Sequence, residues 1–164
     1  MKKYPVLLLI CFLSLINLTY TSAQSISTNE NLNANNQLSN NFIQEVLELV
    51  NIERQKESLR PLKISASLNH YAQIRTEEIT KTFSHRRPNG SSCFTIIPQP
   101  YRLAGENIAA GPPSAKIVVE AWMNSPSHKE NIMNPKFREM GIGYLYLPNS
   151  EYKHYWTQLF RRKF

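Results

Sequence analysis

The chain contains no aspartate: all 12 acidic residues among its 164 are glutamates. A Ser-His-Asp triad, a paired-aspartate dyad and an EF-hand-type calcium loop are therefore excluded in their usual forms. Glycine is scarce, with 5 residues, and the sequence holds no glycine-rich phosphate loop, no G-x-S-x-G turn and no HExxH helix. Cysteine is limited to Cys11 and Cys93, with no C-x-x-C pair. The one long apolar run, Pro5–Leu18, falls short of the roughly 20 residues that a membrane-spanning helix needs. Basic residues outnumber acidic ones, giving a formal net charge of +7, yet they form no long run. Nucleic-acid binding would ask for bases clustered on one face with interleaved aromatics, and no such motif is present. A scattered basic excess suits adhesion to anionic surfaces such as cell-wall polymers or lipid headgroups.

The first residues read as a targeting segment. Lys2 and Lys3 precede the apolar run, and Thr21-Ser22-Ala23 offers small residues for cleavage. This is the charged, apolar, small-residue order of a secretory signal peptide over 1–23, so the expected location is extracytoplasmic. A retained N-terminal anchor is the alternative. Cys11 is a poor lipoprotein site, since the bulky Ile10 precedes it. Once 1–23 is removed, Cys93 stands alone, and the fold must hold without an internal disulfide. Residues 24–41 are Asn/Ser-rich and too poor in large apolar side chains to offset their ordering entropy, the composition of a flexible tether.

A domain is expected over 42–164, with no internal repeats. Ile43, Val46, Leu47 and Val50 recur at helical spacing behind a cap at Asn40 or Asn41, predicting a helix to about Ser58. Ser65 or Ser67 caps a second helix carrying Leu68, Tyr71, Ala72, Arg75 and Ile79. Residues 86–102 hold three prolines and a glycine and read as a long irregular loop. Gly111-Pro112-Pro113-Ser114 stops one element and starts a helix with Ile117, Val118, Ala121 and Trp122. Pro126 suits a first helical turn, and Ser127-His128-Lys129-Glu130 fits a capping box. Two aromatic-rich strands, Met140–Leu147 and Lys153–Phe160, close the chain around a turn at Pro148-Asn149-Ser150. Helices first and strands last predict an α+β fold with an antiparallel sheet.

One carboxylate sits in unusual company. In LAGENIAAG, residues 103–111, Glu106 lies among small and apolar residues, read here as a short helical turn. A buried glutamate needs a hydrogen-bonding or neutralising partner. Of the four histidines, His70 and His154 read as surface or structural, whereas His85 and His128 sit at element edges next to loops. Two imidazoles and Glu106 suit zinc with an open position, or a hydrogen-bonded network without metal. The spacing alone is no metal motif, and three unrelated polar residues remain the plain reading. Trp122, Trp156, Tyr144 and Phe160 read as core, Cys93 as a half-buried loop residue, Asn107 as a structural hydrogen-bonder and Gln158 as a residue able to point into a cleft.

Taken in order, FSHRRPNG, AGENIAAG, VVEAWMNSPSHKENIMNPKFREMGIGYLY and HYWTQLF resemble the CAP superfamily, or SCP-like domain. This is the family of cysteine-rich secretory proteins, insect venom antigen 5 and plant pathogenesis-related proteins, and the pattern is most like its compact, disulfide-poor bacterial members. The resemblance covers residues 42–164. It implies an α-β-α sandwich with a central antiparallel sheet and a cleft lined by two histidines and two glutamates, which in some members bind a divalent metal such as zinc. Carried over, these fall on His85, Glu106 and His128, while Ser125 stands where the second glutamate is found and Ser127 where a glycine precedes the second histidine. His85 and His128 are then expected to meet Glu106 in the cleft. The resemblance does not by itself fix the function; the reading favoured here is a secreted, monomeric, non-catalytic binding module for a small ligand, a lipid or a cell-wall component. The alternatives are a metal-assisted hydrolase of peptide or wall polymer, for which Ser84, Ser125 and Ser127 are the nearby hydroxyls, and a purely structural interaction domain.

Overall fold

A computed structural model describes residues 37–98 and 100–164. The expected signal peptide, 1–23, and most of the tether lie outside the described residues. The compact unit is Ser39–Phe164. Helix α1 occupies residues 37–56, so the last residues of the Asn-rich stretch extend this helix. Ile43, Val46 and Val50 are its buried stripe. It stops because Ser58 takes a left-handed φ of +54°, with the Leu59 amide donating back to the Arg54 carbonyl at 2.9 Å.

Four strands and three more helices follow: β1, Lys63–Ile64; α2, Ala66–Ile79; β2, Leu103–Ala110; α3, Ala115–Met123; α4, Pro126–Met133; β3, Glu139–Tyr146; and β4, His154–Arg162. The sheet order is β1-β3-β4-β2, antiparallel except that the two-residue β1 runs parallel to β3. The sheet is thus mixed, where antiparallel pairing alone was expected.

The sheet has a helix on one face and three on the other. Helix α2 lies so close to β3 that a Cβ on Gly141 would meet the backbone of Leu68 and Asn69, and one on Gly143 the backbone of Ala72. On the opposite face α1, α3 and α4 share one core with Met140, Ile142, Tyr144, Trp156 and Phe160. Trp122 and Trp156 are fully buried, as their periodicity predicts, and the Trp156 indole donates to the Pro112 carbonyl at 2.8 Å.

Two local readings are corrected. Residues 103–110 form a strand and not a helical turn, because their side chains alternate between faces. Ala104, Ile108 and Ala110 pack on the α2 side, while Leu103 and Ala109 join the opposite core. Helix α4 begins at Pro126 with Ser125 as N-cap, so Ser127 lies inside the helix and cannot serve a capping box. The loop over 86–102 is locally ordered by an antiparallel bridge between Arg86 and Ser92, a turn with Gly90 at φ +81°, and a 3-10 turn at Cys93–Ile96.

Candidate functional site

The alternation of β2 sends Glu106 and Asn107 to opposite faces, and each is met by a different helix. Glu106 points toward α2, where Arg75 stands one helical turn from Ala72 and Ile79 on the buried side. Neither side chain reaches solvent: 0% of Arg75 and 1% of Glu106 is exposed. The Arg75 Nε donates to Glu106 Oε2 at 2.8 Å, and its Nη2 reaches Oε1 at 3.4 Å. Nη2 also donates to the Ser84 carbonyl at 2.8 Å, and Nη1 to Glu78 Oε2 at 2.6 Å. Glu78 in turn accepts from Arg87 at 2.7 and 3.0 Å. Burial opposes the Arg75 charge, but hydrogen bonds with Glu106 and Glu78 outweigh it and raise its pKa.

The second group on Glu106 is His85, whose Nδ1 lies 2.8 Å from Oε1. An ionised carboxylate only accepts, so the proton resides on Nδ1 and the ring turns Nε2 away from Glu106. Over half of the His85 side chain, 57%, is exposed. It stands at the rim of a cavity of about 470 Å³ whose lining includes Arg86, Ser92, Phe94, Glu106 and Asn131.

On the other face Asn107 ties α4 to the sheet. Its Nδ2 donates to the His128 carbonyl and to Gln158 Oε1, each at 3.1 Å, and its Oδ1 accepts from Asn131 at 2.9 Å. Asn131 also donates to the Glu106 carbonyl at 3.2 Å. These bonds hold the first turns of α4, and so the His128 backbone, against β2. Burial first, and the charge of His85 second, lower the His128 pKa. Among the described residues His128 makes no hydrogen bond to Glu106, and it is not in the lining of the cavity.

The structure therefore joins His85 to Glu106 directly and does not bring the His128 side chain into that pair. Among the described residues no three His, Cys or Glu side chains are grouped so as to hold a metal ion. The donor set does not fit a divalent metal as it stands, because a buried guanidinium already neutralises Glu106 and, among the described residues, no third donor joins Glu106 and His85. Ser125 Oγ lies 3.5 Å from Ser127 Oγ. Gln158 is buried among core residues, its amide beside the Met140 sulfur, and reaches Asn107 without entering the cavity. Cys93 is buried, its thiol pushed up to about 12 by burial first and by the charge of Glu106 second. The Ser84 hydroxyl accepts from the Arg86 amide at 3.0 Å, and Ser92 caps the 3-10 turn. His154, read as structural, meets the Tyr144 hydroxyl at 2.9 Å.

Arg75, Glu78, Arg87 and Asn131 were not singled out as site residues. For Arg75 a signal was present, since a charged residue recurred at the apolar positions of α2 while a glutamate elsewhere lacked a partner.

The cysteine-rich secretory protein family model, CAP, matches residues 47–160. The protein YkwD of Bacillus subtilis (strain 168) is 39% identical over 124 residues, 73% of this chain and 46% of YkwD. An extracellular SCP-domain protein from Bacillus anthracis superposes with a TM-score of 0.68 at 27% identity, over 78% of this chain and 42% of that one. An outer surface protein of Borrelia burgdorferi gives 0.62 at 25% identity, over 70% and 87% of the two chains. The chain thus spans less than half the length of YkwD and of the Bacillus anthracis protein.

Proposed function

This chain belongs to the cysteine-rich secretory protein (CAP) family, and on that premise we propose that it is an exported binding module. Its pocket above Glu106 receives a small polar ligand, of which a cell-wall fragment is the favoured class, and does not turn it over. One observation carries the reading: Arg75 and His85 both hydrogen-bond Glu106 at the pocket, so its carboxylate is held by the protein's own side chains. Glu106 is thereby committed to holding Arg75 and His85 in place. The Cys93 thiol stays protonated at neutral pH, and the Ser84 and Ser92 hydroxyls already serve the backbone. What faces the opening is a set of hydrogen-bonding groups, His85, Arg86, Ser92 and Asn131, beside the ring of Phe94. That mixture suits a polar ligand better than an acyl chain.

Export is supported by the charged, apolar, small-residue order of 1–23, and by relatives described as extracellular or as an outer surface protein. The basic excess favours approach to an anionic wall. Cosedimentation with purified peptidoglycan, beside anionic phospholipid vesicles, tests the assignment. Retention on peptidoglycan with no release of soluble fragments is expected, and His85→Ala should weaken it by about tenfold, a typical effect for one central contact. Steady fragment release would make the protein a hydrolase. Retention on vesicles alone would make its ligand a lipid.

A further inference from the structure

We propose that Arg75 is the resident cation of this cleft: its guanidinium holds Glu106 where a divalent metal would otherwise draw on that carboxylate, so the pocket excludes such metals. The inference stands whatever ligand the pocket receives.

Three features of the network carry it. The first is occupancy. Glu106 Oε2 accepts from Arg75 Nε at 2.8 Å, and Oε1 accepts from His85 at 2.8 Å and from Arg75 Nη2 at 3.4 Å. A metal at either oxygen would compete with these donors, and on the Arg75 side the contest takes place where neither Arg75 nor Glu106 reaches water to make good a lost bond. The second is charge. Arg75 and Arg87 face Glu106 and Glu78, two cations against two anions, so the cluster is neutral without any added ion. A divalent ion at Glu106 would stand beside a buried guanidinium held there by the Ser84 carbonyl and Glu78 as well, and that repulsion is weakly screened. The third is geometry. Arg75 projects from α2, which is seated on β3 at Gly141 and Gly143 with no room for a Cβ, so the guanidinium cannot withdraw by a shift of its helix.

Removing Arg75 should therefore expose the carboxylate. With Arg75→Met, Glu106 lacks its counter-ion, and His85, 2.8 Å from its Oε1, is the imidazole placed to share a zinc ion with it.

The test is calorimetric titration of zinc into the untagged protein after chelator treatment, alongside Arg75→Met and Arg75→Met/His85→Ala, with folding checked by circular dichroism. The wild type is expected to show no saturable one-to-one binding. Arg75→Met should gain it, with apparent affinity raised about tenfold or more and lost again in the double variant. Should Arg75→Met fail to fold, Arg75→Gln, which keeps one donor to Glu106, takes its place. One-to-one zinc binding by the wild type that disappears in His85→Ala would overturn the proposal. So would a folded Arg75 variant that gains nothing. If neither variant folds, the wild-type titration decides alone: no binding supports the resident cation, and His85-dependent binding refutes it.

Discussion

Arg75 and Glu106 are each out of place as single residues and in place as a pair. A lone buried guanidinium or carboxylate is strongly unfavourable, while a paired and hydrogen-bonded one is tolerated. Breaking such a pair by removing one partner typically costs about 3–5 kcal/mol, whereas replacing both with apolar residues of similar volume is often near neutral. Glu106→Leu should accordingly destabilise the fold by about 3–5 kcal/mol, and Arg75→Met/Glu106→Leu should recover much of that loss in urea denaturation. The recovery will be partial, because Arg75 also bonds Glu78 and the Ser84 carbonyl. At this scale the sequence posed the right question, what Glu106 faces, and supplied half of the answer in His85. In the sequence Arg75 reads only as one of the periodic positions of its helix. Sequence separation hides the pairing: the two partners are 31 positions apart and on different elements.

Among the elements, helix starts illustrate what local pattern can and cannot decide. Ser114 precedes a strongly amphipathic segment and its hydroxyl accepts from the Ile117 amide at 3.4 Å, as a cap should. Ser127 satisfies the S-x-x-E pattern equally well, yet Pro126 before it takes the first helical position and moves the cap to Ser125, whose side chain makes no capping bond. Ser114→Ala should cost about 1 kcal/mol and Ser127→Ala only a few tenths, measured by thermal or urea unfolding. Equal losses would mean that Ser127 does cap α4. The strand β2 was misread for a different reason. Its residues are small, and Glu106 and Asn107 obscure the apolar alternation that marks a half-buried strand. The two-residue β1 is too short for any periodicity and is defined by pairing with β3. By contrast α3, β3 and β4 fell within two residues of expectation, since their apolar periods are long and regular.

For the molecule as a whole, helices on both faces of a sheet were legible from element order and from the family resemblance, whereas the mixed character of the sheet was not. Ion pairs at Glu78 and at Glu139 couple stability to pH. In Glu78 and Glu139 burial raises the pKa, but Arg87 and Arg75 at the first, and Arg161 and Lys163 at the second, outweigh it, leaving both below the ordinary 4.5. A carboxylate whose folded pKa is depressed contributes stability that is present above its unfolded value and lost as pH falls through the folded one. Stability should thus decline as pH drops below about 4.5, and Glu139→Gln should flatten that decline while lowering stability at neutral pH. A decline of unchanged steepness in Glu139→Gln, followed by chemical denaturation at stepped pH, would show that this pair is not part of the coupling.

The central claim is that the pocket over Glu106 binds a polar wall fragment without cleaving it. Nuclear magnetic resonance of the isotopically labelled protein, titrated with a soluble disaccharide-peptide fragment of peptidoglycan, addresses it most directly. Saturable shifts centred on His85, Arg86, Ser92 and Asn131, with the fragment's own signals intact after prolonged incubation, are the predicted result. Shifts confined to another surface, an unresponsive spectrum, or conversion of the fragment to new species would contradict it.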